Sequence, residues 1–274
     1  MVDDAERHGL IKPGGTFIES SAGNTGAAIA AIAKIRGYKC IITAPDKISK
    51  EKISHMEGLG AKVILCPTDV PAISEYSYYE QAKKLSDTIS NSFYFNQYNN
   101  SKNPEAYYNT LGPEIWSQTN GNIDYLIAGI GTGGTISGTG KFLKEKKPKI
   151  KIIAVDAVGS IYYDYFHNHE ISKPSVYKIE GIGEDFIPGS IDFSIIDHVV
   201  QISDKAAFLT AREIFTKEGL FAGGSSGAII NATLTLMQKN HSDKKVYVAI
   251  LPDSGENYRS KIFNDEWMRQ QGYI

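Results

Sequence analysis

Strand-like and helix-like segments alternate along almost the whole chain, and three strand-to-helix junctions are rich in Gly, Ser and Thr. They are Ser21-Ala22-Gly23-Asn24-Thr25-Gly26 (loop one), Gly131-Thr132-Gly133-Gly134-Thr135 (loop two) and Gly223-Gly224-Ser225-Ser226-Gly227 (loop three). The alternation leaves few folds open. A strand that returns through a helix pairs in parallel, and parallel sheets are covered on both faces. The loops constrain function as well. A Gly-rich turn before a helix offers backbone N–H groups at the positive end of the helix dipole, a ready anion site. Three such turns point to a ligand with several anionic or polar handles.

The pattern predicts strands at Thr16–Glu19, Lys39–Ala44, Ala61–Cys66 and Phe93–Phe95 in the first part of the chain. Helices are predicted at Val2–His8, Ala27–Ile35, Lys50–Gly58 and Tyr76–Ser90. The second part reads as strands Ile123–Ala128, Ile150–Val155, Val199–Ile202 and Val246–Leu251, with helices near Asn109–Gln118, Ile136–Lys144, Asp204–Glu218 and Ala228–Lys239. Residues 160–197 look irregular and Gly/Pro-spaced, and no internal repeat is visible. The polar run Asn99-Asn100-Ser101-Lys102-Asn103-Pro104 reads as a linker, dividing the chain into α/β domains 1–103 and 104–274. Two such lobes around a cleft are a common place for a ligand.

With 274 residues, 42% apolar content and a net charge of −2, the chain suits a soluble globular protein of one large or two modest α/β domains. That charge argues against nucleic acid or an acidic membrane as partner, and no apolar run is long enough to span a bilayer. The acidic start, Met1 to Arg7, lacks the apolar core of a secretory leader. Only two cysteines occur, Cys40 and Cys66, each within an apolar run, which fits core packing in a reduced cytoplasmic compartment. His167 and His169 have no third ligand at metal-site spacing and read as a surface loop, so no metal is expected.

Loop two supports two chemistries. Gly129-Ile130-Gly131-Thr132-Gly133-Gly134 matches the dinucleotide fingerprint G-x-G-x-x-G between a strand and a helix. Asp156 follows about 20 residues on, where that fingerprint puts its ribose-binding acid. A nicotinamide cofactor would explain loop two but neither of the other loops. Loop one suits a carboxylate, through backbone N–H groups, the Asn24 amide and the hydroxyls of Ser21 and Thr25. Loop three offers the Ser225 hydroxyl, able to meet a ring nitrogen. All three also read as capped turns, which Asn, Ser, Thr and Gly favour without any ligand.

Together and in this order, the three loops resemble the pyridoxal-phosphate β-replacement enzymes, the cystathionine β-synthases and cysteine synthases, over nearly the whole chain. Three further stretches resemble the cystathionine β-synthase branch. They are Pro67-Thr68-Asp69-Val70-Pro71 with Tyr78-Tyr79, Glu180-Gly181-Ile182-Gly183-Glu184-Asp185-Phe186-Ile187-Pro188, and Leu251 to Gly255 running into Lys261 to Met268. The resemblance implies fold type II: two open, twisted, mostly parallel α/β domains around a cofactor cleft. It implies pyridoxal 5'-phosphate, a homodimer, and small amino-acid and thiol substrates. Gly131, Thr132, Gly133, Gly134 and Thr135 would cradle the cofactor phosphate. Asn24 would bond its ring hydroxyl oxygen, and Ser225 would face its pyridine nitrogen. Ser21, Ala22, Gly23 and Thr25 would clasp the substrate carboxylate, helped by Gln97. Tyr98 would lie near the second substrate, and Gly181 would line the site. The implied reaction removes the α-proton and β-substituent of serine or an O-activated serine and adds a thiol. Homocysteine would give cystathionine; sulfide would give cysteine.

The chain departs from the family at one point. The family's lysine, which carries the cofactor and takes the α-proton, lies in a Ser-x-Lys-Asp-Arg motif that is not found here. Lys34, Lys47, Lys50 and Lys52 read as solvated faces. The resemblance therefore implies a first domain incomplete at its N-terminus, with the catalytic lysine upstream of Met1 and none in this chain. A catalytically inactive relative of the family stays open, as does the nicotinamide reading.

Overall fold

The chain opens on a short helix, Val2–Arg7 (α1), that buries Val2 and Ala5. The strand after it, Thr16–Ser20 (β1), is buried at every residue. Such a strand needs partners on both edges and cover on both faces. The partners are Lys39–Pro45 (β2) and Ser92–Tyr94 (β4), and Lys62–Cys66 (β3) pairs with β2, every pairing parallel. The helices Asn24–Arg36 (α2), Lys50–Gly58 (α3) and Tyr78–Thr88 (α4) connect them. Phe17 meets Phe95 edge-on at 5.0 Å in a core that also holds Ile29, Ala33, Ile42 and Met56.

The computed structural model describes residues 1–240 and 244–274. They form two units, Met1–Asn100 and Ser101–Ile274. The second begins with the helices Lys102–Asn109 (α5) and Leu111–Gln118 (α6). It continues through Tyr125–Gly129 (β5), Gly134–Lys146 (α7), Lys151–Ala157 (β6), Tyr162–Asn168 (α8) and His198–Ile202 (β7). Asp204–Glu218 (α9), Gly224–Asn240 (α10), Tyr247–Ala249 (β8) and Asp265–Gln270 (α11) complete it. The sheet is again fully parallel.

The two sheets have the same strand order, β3-β2-β1-β4 and β7-β6-β5-β8. The sequence reading found no repeat; the structure holds a repeat of topology without one of sequence. In each sheet the order reverses beside the first strand, the place where open α/β sheets bind ligands at their carboxyl ends. Loop one follows β1 and loop two follows β5, so both occupy that position.

Several predicted boundaries shift. α2 starts at Asn24, not Ala27; α7 starts at Gly134; α10 starts at Gly224. Loop three is thus almost entirely helix first turn, and loops one and two each run into one. The predicted linker is partly helical, because α5 packs tightly on α7. A Cβ on Gly138 would lie 2.0 Å from the Pro104 carbonyl oxygen. The stretch expected to be irregular contains α8, held at its start by a buried acid described below. No described helix is long and apolar enough to cross a membrane, and both cysteines are free and buried.

Candidate active site

Loop one is shaped from within. Ser21 is buried, and its Oγ accepts from the backbone N–H groups of Gly23 at 3.1 Å and Gly26 at 3.0 Å. Two donors that the sequence offered to a carboxylate are therefore engaged by Ser21. Ser21 still has its hydroxyl hydrogen to give, and Thr25 has the outward N–H of a helix first turn. A Cβ on Gly26 would lie 2.9 Å from Met56 Sδ, so core packing requires that glycine. Asn24 is exposed and Thr25 half-buried at the head of α2.

Gln97 is brought beside the same loop. Its Nε2 donates to the Ser20 carbonyl at 2.8 Å, and its backbone N–H donates to Glu19 Oε1 at 3.4 Å. The turn that presents it begins at Asn96, in the left-handed region at φ 48, a conformation that asparagine tolerates well. Tyr98 is buried with its hydroxyl 3.0 Å from that of Tyr78, and its ring meets Tyr79 edge-on at 5.0 Å. Three tyrosines that sequence reasoning named separately thus form one cluster.

Two residues of this unit escaped the sequence reading. Glu19 ends an apolar strand and is fully buried; burial pushes its carboxyl up to about 8. The signal was an acid in an otherwise apolar strand immediately before a loop. Lys52 is only 6% exposed, which corrects its reading as a solvated lysine. Its Nζ lies 3.2 Å from where a Cβ on Gly23 would stand, so α3 delivers a cation against loop one. Its position in the charged first turn of α3, Lys50-Glu51-Lys52, disguised it. Lys34 and Lys50 are exposed as expected.

Loop two is a backbone surface. Gly133 is the left-handed N-cap of α7 at φ 83, with no side-chain cap. A Cβ on Gly131 would lie 2.7 Å from the Gly181 carbonyl oxygen, one on Gly133 2.4 Å from Ile191 Cβ, and one on Gly134 2.1 Å from Asn103 Oδ1. Gly181 is therefore packed against the loop. Tyr162 Oη donates to the Gly131 carbonyl and Ser190 Oγ to the Thr132 carbonyl, each at 2.6 Å. Thr132 Oγ1 accepts from Asn103 Nδ2 at 3.0 Å and from the Gly134 N–H at 3.3 Å. An oxygen that accepts twice keeps its own hydrogen to donate. Thr135 is half-buried in the first turn of α7.

Loop three has a larger packing component. Cβ atoms on Gly223 and Gly227 would lie 2.1 Å from Asp253 Oδ1 and from the Ala207 carbonyl oxygen. Ser225 and Ser226 are buried, and Ser226 Oγ has no hydrogen-bond partner among the described residues. Tyr258 Oη donates to Asp253 Oδ2 at 2.7 Å, and Ser254 caps the short helix Gly255–Tyr258 through the Glu256 N–H.

The nicotinamide reading loses its acid. Asp156 is fully buried, accepting from the Ala157 N–H at 2.9 Å and the Tyr163 N–H at 3.1 Å. It fastens the start of α8 to the end of β6, and burial pushes it up to about 6. A carboxyl enclosed in this way cannot reach a ribose. His167 and His169 are not in a loop, as expected, but at the end of α8. His167 Nε2 donates to the Val199 carbonyl at 3.2 Å, and His169 is the left-handed C-cap. Among the described residues no three His, Cys, Asp or Glu side chains are grouped to hold a metal. A cavity of about 570 Å³ lies in the first unit, lined by Thr16, Ala33, Tyr38, Lys39 and Cys40. It sits at the amino ends of β1 and β2, away from loop one, and is not the candidate site.

Residues 1–253 match the family described as "Pyridoxal-phosphate dependent enzyme". The chain belongs to this family. Among pyridoxal-phosphate-dependent enzymes it is 46% identical over 274 residues to a cystathionine beta-synthase of Apis mellifera, covering 100% of this chain and 54% of that protein. The chain thus spans about half the length of that relative. It is 41% identical over 273 residues to a cysteine synthase of Buchnera aphidicola, covering 97% of this chain and 84% of the relative. The crystal structure of an O-acetylserine dependent cystathionine beta-synthase from Helicobacter pylori superposes with a TM-score of 0.86 at 37% identity, covering 95% of this chain and 81% of that one. The family's cofactor suits the donor set on these residues. Loop two has no acidic side chain, a helix N-terminus, a closely approached glycine backbone and a hydroxyl hydrogen on Thr132, which together fit a phosphate.

Proposed function

We propose that this chain is the catalytic portion of a β-replacement enzyme. It takes serine or an O-activated serine and exchanges the β-substituent for a thiol, homocysteine foremost, to give cystathionine. The observation that carries the reading is loop two: a backbone cradle in which the Thr132 hydroxyl accepts from Asn103 and the Gly134 N–H and keeps its own hydrogen to donate.

The residue roles are those that the family resemblance implies. Gly131, Gly133, Gly134 and Thr135 hold the cofactor phosphate with Thr132, at the positive end of α7. Ser225 meets the pyridine nitrogen, and Asn24 the ring hydroxyl oxygen. Bound pyridoxal phosphate supplies a sink for the electron pair left at the substrate α-carbon. Ser225 is a neutral partner and does not hold the ring nitrogen protonated as a carboxylate does, which favours prompt loss of the β-substituent. Ser21, Ala22, Gly23 and Thr25 orient the amino-acid carboxylate together with Gln97, and the cation of Lys52 lies on the same loop. Tyr98, within its tyrosine cluster, faces the thiol substrate, and Gly181 lines the site. The lysine that carries the cofactor and moves the α-proton comes, in this proposal, from a Ser-x-Lys-Asp-Arg segment preceding Met1. The protein works as a homodimer in the cytoplasm.

Two measurements test the reading. Serine and O-acetylserine are each supplied with homocysteine or sulfide, and products are identified by mass spectrometry. Cystathionine as the main product supports the proposal. Cysteine from O-acetylserine and sulfide, with little cystathionine, assigns cysteine synthase instead, as the similarity to the Buchnera protein would favour. Borohydride reduction of the cofactor-loaded natural protein, followed by peptide mapping, identifies the lysine. An adduct on Lys52 overturns the upstream assignment, and no adduct with no product indicates an inactive relative.

A further inference from the structure

Glu19 is fully buried, yet none of the roles above uses it. Its Oε1 accepts from the Ser20 N–H at 3.0 Å, the Ser20 hydroxyl at 3.5 Å and the Gln97 N–H at 3.4 Å. Its Oε2 has no hydrogen-bond partner among the described residues. Gln97 also donates to the Ser20 carbonyl at 2.8 Å, across 77 residues of sequence. One carboxyl therefore joins the root of loop one to the turn that presents Gln97. We propose that Glu19 is a positioning residue for the amino-acid carboxylate, holding loop one and Gln97 in a single arrangement. The identity of the ligand rests on the β-replacement reading; the bridge itself does not.

The surroundings bear on the charge that Glu19 carries. Ser20 lies on β1, Cys40 on β2, Tyr94 on β4 and Gln97 in the next turn. Both the Cys40 thiol, pushed up to about 12, and the Tyr94 phenol are raised by burial and, less, by Glu19 itself. Tyr94 also feels the acid Glu80 on α4, and its hydroxyl lies 2.6 Å from Ser20 Oγ. Burial pushes the Glu19 carboxyl up to about 8, against the Gln97 and Ser20 donors at Oε1, which pull it down. Ionised, it would put a negative charge behind the loop that receives a carboxylate.

The test compares wild type, Glu19→Gln and Glu19→Leu. Amide hydrogen exchange at Ser20 and Gln97 reads the bridge without ligand. Titration of the cofactor-loaded protein with L-serine, followed by cofactor absorbance, reads the site. Glu19→Gln, neutral at every pH, should match wild type in both at pH 7; Glu19→Leu should speed exchange at both amides and weaken serine. With a carboxyl that ionises near 8, the wild-type apparent Kd for serine should rise about tenfold between pH 7 and 9 relative to Glu19→Gln, as the uncharged fraction falls. Equal pH slopes in wild type and Glu19→Gln would overturn the proposal, as would wild-type exchange in a folded Glu19→Leu. Should Glu19→Leu fail to fold, the pH slopes of serine binding in wild type and Glu19→Gln decide. If no variant binds serine, the β-replacement reading falls, and exchange alone decides the role of Glu19.

Discussion

Asn103 donates its side-chain N–H to the hydroxyl oxygen of Thr132 at 3.0 Å, linking α5 to loop two. With that bond and the one from the Gly134 N–H both accepted, the Thr132 hydroxyl keeps its own hydrogen to donate. Asn103→Ala should weaken pyridoxal-phosphate binding about fivefold, the effect of one lost hydrogen bond of about 1 kcal/mol. Fluorescence titration with the cofactor reads it. An unchanged Kd would mean that Thr132 does not hold the phosphate.

Glu19 should make stability fall as pH rises. Its carboxyl ionises near the ordinary 4.5 when unfolded and near 8 when folded. Between those values the unfolded chain binds fewer protons, so raising the pH favours unfolding. Relative to Glu19→Gln, wild type should lose stability across pH 4.5 to 8 and then level off, with an upper bound of about 5 kcal/mol. Denaturant midpoints at a series of pH values measure the difference. Parallel curves for the two proteins would show Glu19 to be ionised in the native state.

Asp156 follows the same sign over a lower window, from 3.8 to about 6. Its larger role is to accept from Tyr163 at the start of α8. Asp156→Ala leaves that N–H without its acceptor and should cost about 1–3 kcal/mol of stability. Neither this variant nor wild type should bind a nicotinamide dinucleotide. Binding in wild type that the substitution abolishes would revive the nicotinamide reading.

Two glycines should respond differently to alanine. A Cβ on Gly227 meets the Ala207 carbonyl oxygen at 2.1 Å, so Gly227→Ala must push α10 from α9, costing about 2–3 kcal/mol. Gly181 has open space around its would-be Cβ, and only its φ of +86 opposes the substitution, at about 1–2 kcal/mol. Chemical denaturation ranks them, and the reverse order would mean that α10 can shift freely.

Much of this was legible along the chain because the deciding signals are local. Apolar strands such as Ile152 to Val155 announced parallel burial, and each Gly/Ser/Thr run announced a helix start. The boundaries slipped where a cap was mistaken for a loop, as at Asn24 and Gly224, since capping residues and ligand-binding turns have the same composition. α5 was missed because Asn103 and Pro104 resemble linker residues; Pro104 is tolerated because it lies in a first turn, where its missing N–H has no helix partner to lose.

The sequence by itself determined the alternating parallel architecture, three helix starts suited to anions, and the resemblance that points to one cofactor. The tertiary structure alone decided which groups in those loops remain available. It engaged the Gly23 and Gly26 donors with Ser21, enclosed Asp156 beneath α8, buried Lys52 beside Gly23, and joined Glu19 to Gln97. The reason is physical. Hydrophobic period and capping chemistry are properties of neighbouring residues, whereas desolvation and hydrogen-bond partners exist only once distant segments have packed together.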